Sequence, residues 1–343
     1  MKKGKINSKY SMVIGILIAI LIVVTILSVG VGRYYIHPYE VVHIFISKIF
    51  PVQQTWPDQA ESVIFTLRLP RIIAAILVGS ALSLSGVTYQ GVFKNPLIAP
   101  DVLGVSSGAC IGASCAILYG TGNWGIQLAA FCGGFLAVVL TTRIPKILKN
   151  NSMIMLVLSG IIVGGMMNSI MGLIKYVADP DTQLASIVYW QLGSFAQVTS
   201  KDISLVMPII LISAAILVLL RWRINILSLG EKEAKTLGMD ITVFRGILVI
   251  CSTLLTASAV CISGTIGWVG LVIPHLGRMV VGPDNVKLIP ISAMLGSIFM
   301  VTIDTMARIL TSAEIPLGIL TGIIGAPFYF YLLLRQRKTM QWC

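Results

Sequence analysis

The chain has 343 residues, of which 56% are apolar and only 11% charged, far below the quarter or so that is charged in a soluble domain. Mean hydropathy is +0.92, which makes lipid the natural solvent. The net charge of +12 lies in short loops between apolar stretches. No basic face interleaved with aromatics occurs, so the charge reads as topology and headgroup contact rather than nucleic-acid binding.

Crossing the hydrocarbon core takes about 20 apolar residues. Ten stretches qualify, at 11–32, 64–92, 98–119, 123–142, 152–174, 203–221, 242–262, 266–282, 288–309 and 317–334. The expectation is an all-α polytopic membrane protein of about ten transmembrane helices, a single domain over residues 1–343. Pro100 and Pro274 predict breaks in the third and eighth spans. Lys2, Lys3, Lys5 and Lys9 precede the first span as they would a secretion signal. The apolar run is too long for one and lacks a small-x-small cleavage site, so a retained helix is expected. With the N-terminus inside, 18 of the 25 basic residues fall on the cytosolic side and 7 outside. Among the outer ones is Arg33, and among the inner ones Lys338. That asymmetry predicts cytosolic termini.

In chain order, Arg68 and Arg71 come first, at the outer end of the second span. Pro70 between them suits a helix's first turn. Lys94 to Pro100 reads as a tight inner turn, after which Asp101 opens the next helix at its positive dipole end. Gly104, Gly108 and Gly112 place glycine on one helix face; Gly160 with Gly164 and Gly318 with Gly322 repeat the spacing, a sign of close packing. Cys110, Cys115, Cys132, Cys251, Cys261 and Cys343 form no CxxC pair, and read as small packers. Met153, Met155, Met166, Met167, Met171 and Asn168 in the fifth span suit core packing, or a path for bulky cargo.

A polar loop, LSLGEKEAKTLGMD, separates spans six and seven. Ser228 and Glu231 have capping-box spacing, and Gly238 suits a helix stop. A helix of about nine residues, roughly 13 Å long, follows. It is either a plain surface helix or a docking element. His275, beside Pro274, reads as a packing residue. Asp304 and Arg308 are spaced to pair along one helix. Arg68, Arg71 and Arg308 therefore pair locally, meet headgroups, or dock a partner. No cofactor is expected. His37, His43 and His275 come with no metal-ligand spacing, so no metal site is expected either. No phosphate loop or serine nucleophile elbow occurs, which argues against an enzyme and leaves ATP hydrolysis to a separate protein.

The run from Arg68 to Gly112 resembles the hallmark of the FecCD family of binding-protein-dependent permeases. The pattern falls on Arg68, Pro70, Arg71, Gly79, Leu82, Gly86, Gln90, Asn95, Pro96, Leu97, Pro100, Leu103 and Gly104. Trp190, Gly193 and Ser194 match a second element. Gly264 to Arg278 match a third, with Trp268 where Phe is usual. Glu314 to Arg335 resemble the closing span. The resemblance implies a type II ABC-importer permease in a bacterial cytoplasmic membrane, carrying an iron–siderophore or a related chelate such as haem or cobalamin. It implies a second permease subunit, two cytosolic ATP-binding-cassette ATPases and an extracytoplasmic substrate-binding protein. Arg68, Arg71 and Arg308 would dock the binding protein. Leu229, Gly230, Glu231, Ala234, Leu237 and Gly238 would form the ATPase-coupling helix. The competing class, an ion-gradient-driven secondary transporter, should show ionisable groups at mid-membrane, and the span centres are almost free of them.

Overall fold

The computed structural model describes residues 2–337 apart from Arg33, Val52, Thr55 and Asn151; it does not describe the side chains of residues 2–9, Glu231, Leu333 or residues 335–337. Lys338 and Cys343 thus lie outside the described residues, as does Arg33. The described residues are helical, without a strand. That is what lipid dictates, because a helix satisfies every backbone polar group within itself.

The helices are α1 (Lys2–Gly30), α2 (Pro38–Ser47), α3 (Asp58–Ser62), α4 (Leu69–Phe93), α5 (Val105–Leu118), α6 (Asn123–Ile147) and α7 (Met153–Val177). Then come α8 (Gln183–Leu192), α9 (Ser200–Leu229), α10 (Glu231–Thr236), α11 (Ile241–Ser263), α12 (Val269–Val281), α13 (Asn285–Leu310) and α14 (Leu317–Arg337). A π-helical stretch, Val63–Arg68, fuses α3 to α4, giving one helix from Asp58 to Phe93.

All ten expected spans appear as apolar helices. Seven are long and apolar enough to cross a membrane, and three, beginning at Val105, Val269 and Leu317, are shorter. The first two of these are the interrupted spans. The third span is broken by a 3-10 turn, Pro100–Leu103, so Asp101 lies in that turn and α5 starts later, after Gly104. The eighth is broken before α12, at 264–268, where Gly264 and Trp268 both have positive φ. Pro274 sits inside α12 instead.

α4 and α11 are mostly buried, whereas α1, α6, α7 and α9 turn much of their surface outward. Glycine lets the central backbones touch: a Cβ on Gly79 would strike Gly296, and one on Gly86 would strike the Gly270 carbonyl. Hydroxyls fill the α4–α11 seam. Ser85 Oγ lies 2.9 Å from Thr256 Oγ1, and Tyr89 OH 3.2 Å from Thr253 Oγ1. The order of buried long helix, irregular turn, short helix and a further pair of helices occurs twice, as α4 to α7 and as α11 to α14, with α14 the shorter member of its pair.

Several local expectations need correction. Pro70 does sit in the first turn of α4, but that turn continues from the π stretch through Leu69 rather than opening a new helix. The wider turn ahead of it absorbs the register change that a missing N–H forces. Gly108 and Gly112 do pack closely, against Gly133 and Ala129 of α6, but Gly104 is the left-handed residue ahead of α5 (φ +82°) and Gly164 has nothing against it. α2 and α8, which lie outside the spans, had no counterpart in the sequence reading.

Candidate functional site

The first cluster lies where α4, α13 and the end of α1 meet. Arg68, on the π stretch, donates to the carbonyls of Val29, Gly30 and Tyr34, closing the C-terminal end of α1. Arg71, three residues on, donates from Nε to Asp304 Oδ1 at 2.6 Å and from Nη1 to Glu314 Oε2 at 2.9 Å. Arg308 reaches Asp304 Oδ2 at 3.1 Å, the carbonyl of Val31 at 3.1 Å and that of Ser28 at 3.0 Å. Asp304, with 0% of its side chain exposed, thus bridges two guanidiniums. The expected pairing of Asp304 with Arg308 along one helix is present. The links from Arg71 to Asp304 and Glu314, over 200 residues away, have no counterpart in the expected pairing.

All three guanidiniums are buried. Arg71 Nη2 has no hydrogen-bond partner among the described residues. Burial on this scale is tolerated because each charge meets opposite charge or backbone carbonyls. Glu314 is the half-exposed member, at 34%, and sits at φ +44°, which a side chain rarely adopts. It also lines a concavity of about 890 Å³, with Tyr189, Trp190, Ser194 and Gln197. Ahead of α8, Asp179 accepts from the Thr182 backbone N–H and hydroxyl; those bonds hold its carboxyl below the usual range.

The second cluster is α10. It spans six residues, shorter than the nine expected, because α9 continues through Leu229. Ser228 is therefore no cap: its hydroxyl donates back to the Ile224 carbonyl. Gly230 (φ +155°) makes the corner, where a Cβ would strike the Glu233 carboxylate. Gly238 (φ +73°) ends the element, with Met239 N closing onto the Ala234 carbonyl. Ala234 is buried, while Leu229 and Leu237 are 68% and 63% exposed on either side. Asp240 then caps α11 through Thr242 N and Val243 N. The result is a short polar stub, fixed at both ends and flanked by two bare leucines.

Between the halves lies a smaller cavity of about 260 Å³, walled by Pro100, Asp101, Asn168, Gln191, Trp268 and Gly270 among others. On α7, Met167 and Met171 are buried and Ser114 Oγ donates to Met171 Sδ, but Met166, Asn168 and Ser169 face outward. Among the described residues no group of three or more His, Cys, Asp or Glu side chains gathers.

A bundle of apolar helices with a charged network at one end and a capped polar stub is the architecture of a membrane permease. The chain belongs to the FecCD transport family, whose model matches residues 20–335. It is 39% identical over 324 residues to a molybdate import system permease of Haemophilus influenzae, covering 93% of this chain and 94% of that one. It is 40% identical over 275 residues to an iron chelatin transport system permease of Helicobacter pylori, covering 80% and 83%. A solved structure, described as an inward-facing conformation of a metal-chelate-type ABC transporter, superposes with TM-score 0.85 at 38% identity, covering 95% of this chain and 99% of that one. The chain is thus a multi-pass ABC-importer permease of FecCD type.

Proposed function

We propose that this permease imports an iron–siderophore or a related metal chelate by alternating access, driven by ATP hydrolysed on partner subunits. The observation that carries the motor half of this reading is α10, a rigidly capped stub with Leu229 and Leu237 bare on either side. An exposed apolar pair on a polar element marks a contact surface, and a short fixed helix can pass a rigid-body push into the bundle. Leu229, Gly230, Glu231, Ala234, Leu237 and Gly238 are the coupling residues, at the cytosolic face of a bacterial inner membrane. Replacing Leu237 by Glu should abolish association with the ATPase while leaving the folded permease intact in detergent. Unchanged association rejects the coupling role.

At the opposite end, Arg68, Arg71 and Arg308 are the docking ground for an acidic patch on a substrate-binding protein. Arg71 and Arg308 face the two carboxylates and Arg68 meets only carbonyls, so the three guanidiniums outnumber the acids and the cluster keeps net positive charge. Displacement of Glu314, the half-exposed partner, presents Arg71 to an incoming carboxylate, which arginine grips through two parallel hydrogen bonds. The neighbouring concavity, about 890 Å³, has the room of a site for a drug-sized ligand.

A second permease subunit covers the outward face of α7, where the Asn168 amide would be poorly placed against lipid. The relatives named above carry two different cargoes, so cargo needs its own test. Proteoliposomes holding the permease, its ATPase and its binding protein should take up labelled ferric siderophore in an ATP-dependent way. Uptake of molybdate alone would overturn the chelate assignment. Full uptake with an ATPase-dead partner would overturn the motor and favour an ion gradient.

A further inference from the structure

Gln90 is buried near the inner end of α4 and makes three side-chain hydrogen bonds to two different elements. Its Nε2 donates to the Ile98 carbonyl at 3.3 Å and to the Gly270 carbonyl at 3.3 Å. Its Oε1 accepts from Arg278 Nη2 at 2.5 Å. One amide therefore joins α4, the 94–100 turn and α12. Around it the backbones are already in contact. A Cβ on Gly270 would strike the Pro100 ring, and one on Gly86 the Gly270 carbonyl. Pro100 and Gly270 both wall the central cavity, so Gln90 ties its two sides together.

The same junction reaches toward α10. Asn225 lies on α9, five residues before the Gly230 corner. Its Nδ2 donates to Asp284 Oδ1 at 2.7 Å, and its Oδ1 accepts from Asn285 N at 2.8 Å. Asp284 and Asn285 begin α13, directly after α12, which carries Arg278. Gly91, next to Gln90, leaves room for Ile224 of α9. A route thus runs from α10 through α9 and Asn225 to Asp284, along the short link from α13 back into α12, and through Arg278 and Gln90 to the cavity wall. Continuity alone does not make a pathway; a shared element biased from both ends does.

We propose that Gln90 is the positioning residue that makes the 94–104 segment follow α12, so that nucleotide-driven movement at α10 reaches the cavity wall. This rests on the motor-driven reading above. Glutamine suits the task because it accepts from Arg278 while donating to two carbonyls. Glutamate keeps the acceptor and loses both donors; methionine loses all three bonds.

The test is hydrogen–deuterium exchange on the full permease assembled with its ATPase, without nucleotide and with ATP plus vanadate. In the native complex, residues 94–104 and α12 should both change their exchange with nucleotide. In Gln90→Glu, α12 should still respond, held through Arg278, and the response of 94–104 should be lost. In Gln90→Met, 94–104 should also fall silent while the complex still assembles. A full response of 94–104 in both variants overturns the inference alone. Failure of both variants to assemble also overturns it, since Gln90 would then be a folding residue. If the native chain neither binds the ATPase nor responds to nucleotide, the motor reading falls, and this inference with it.

Discussion

Asp304 shows how a single side chain can hold an end of the bundle. Its two oxygens each accept from one guanidinium, Arg71 and Arg308, and no water reaches it. Removing one partner of a buried ion pair leaves a charge uncompensated, at a cost of about 3–5 kcal/mol. Asp304→Ala should therefore lower the melting temperature in detergent sharply, and Asp304→Asn less so, since an amide oxygen still accepts. Melting unchanged in both would show that the guanidiniums find other acceptors. Glu314 tests the same idea from the wet side. One-third exposed, it pairs in a screened setting, where ion pairs are worth about 0–1 kcal/mol. Glu314→Gln should leave melting nearly unchanged. A loss as large as that of Asp304→Ala would contradict its role as the displaceable partner.

At the scale of elements, close approach of backbones replaces the hydrophobic drive that lipid removes. The α5–α6 hairpin depends on it: side chains at Gly108 or Gly112 would run into the Gly133 and Ala129 carbonyls. Gly112→Leu forces the helices apart, and overpacking of this kind costs about 1–3 kcal/mol or more. It should reduce folded yield and melting temperature, while Gly164→Ala, with open space around it, should do neither. Equal effects would mean that the glycine stripes act through helix propensity instead. The ten apolar helices were legible because each span must satisfy its own backbone and wear an apolar surface. Their breaks were half legible. Proline marked the 3-10 turn at Pro100, but positive φ at Gly264 and Trp268 breaks the eighth span, and nothing about a tryptophan announces that. The α10 stub was legible as a polar interruption, although its start was misplaced because Ser228 bonds back into α9. The arginines stood out as charges near helix ends. Their partners did not, because Glu314 and Arg71 lie 243 residues apart and meet only through tertiary packing. Gln90 to Arg278, 188 residues apart, was hidden for the same reason.

For the molecule as a whole, the outward faces differ in what they ask of their surroundings. α6 turns Leu128, Cys132, Phe135 and Leu136 outward, a surface that lipid satisfies. α7 turns out Ile161, Ile162 and Ile170 as well, but among them stand Asn168, Ser169 and the bare glycines 165 and 172. Ser169 bonds back to the Gly165 carbonyl, but the Asn168 amide against acyl chains would leave its donors and acceptor unmet, so it faces protein or water. Asn168 also walls the central cavity, which places the polar stripe on the side where cargo would pass. A chain stripped of its other cysteines separates the two surfaces. With a single cysteine at position 168, the assembled transporter should react with a membrane-impermeant maleimide in at least one nucleotide state. With Cys132 retained alone, it should stay unreactive in every state, because lipid shields a thiol from a water-borne reagent and keeps it from ionising. Equal protection at both positions would make α7 a lipid-facing helix and move the transport path elsewhere in the bundle.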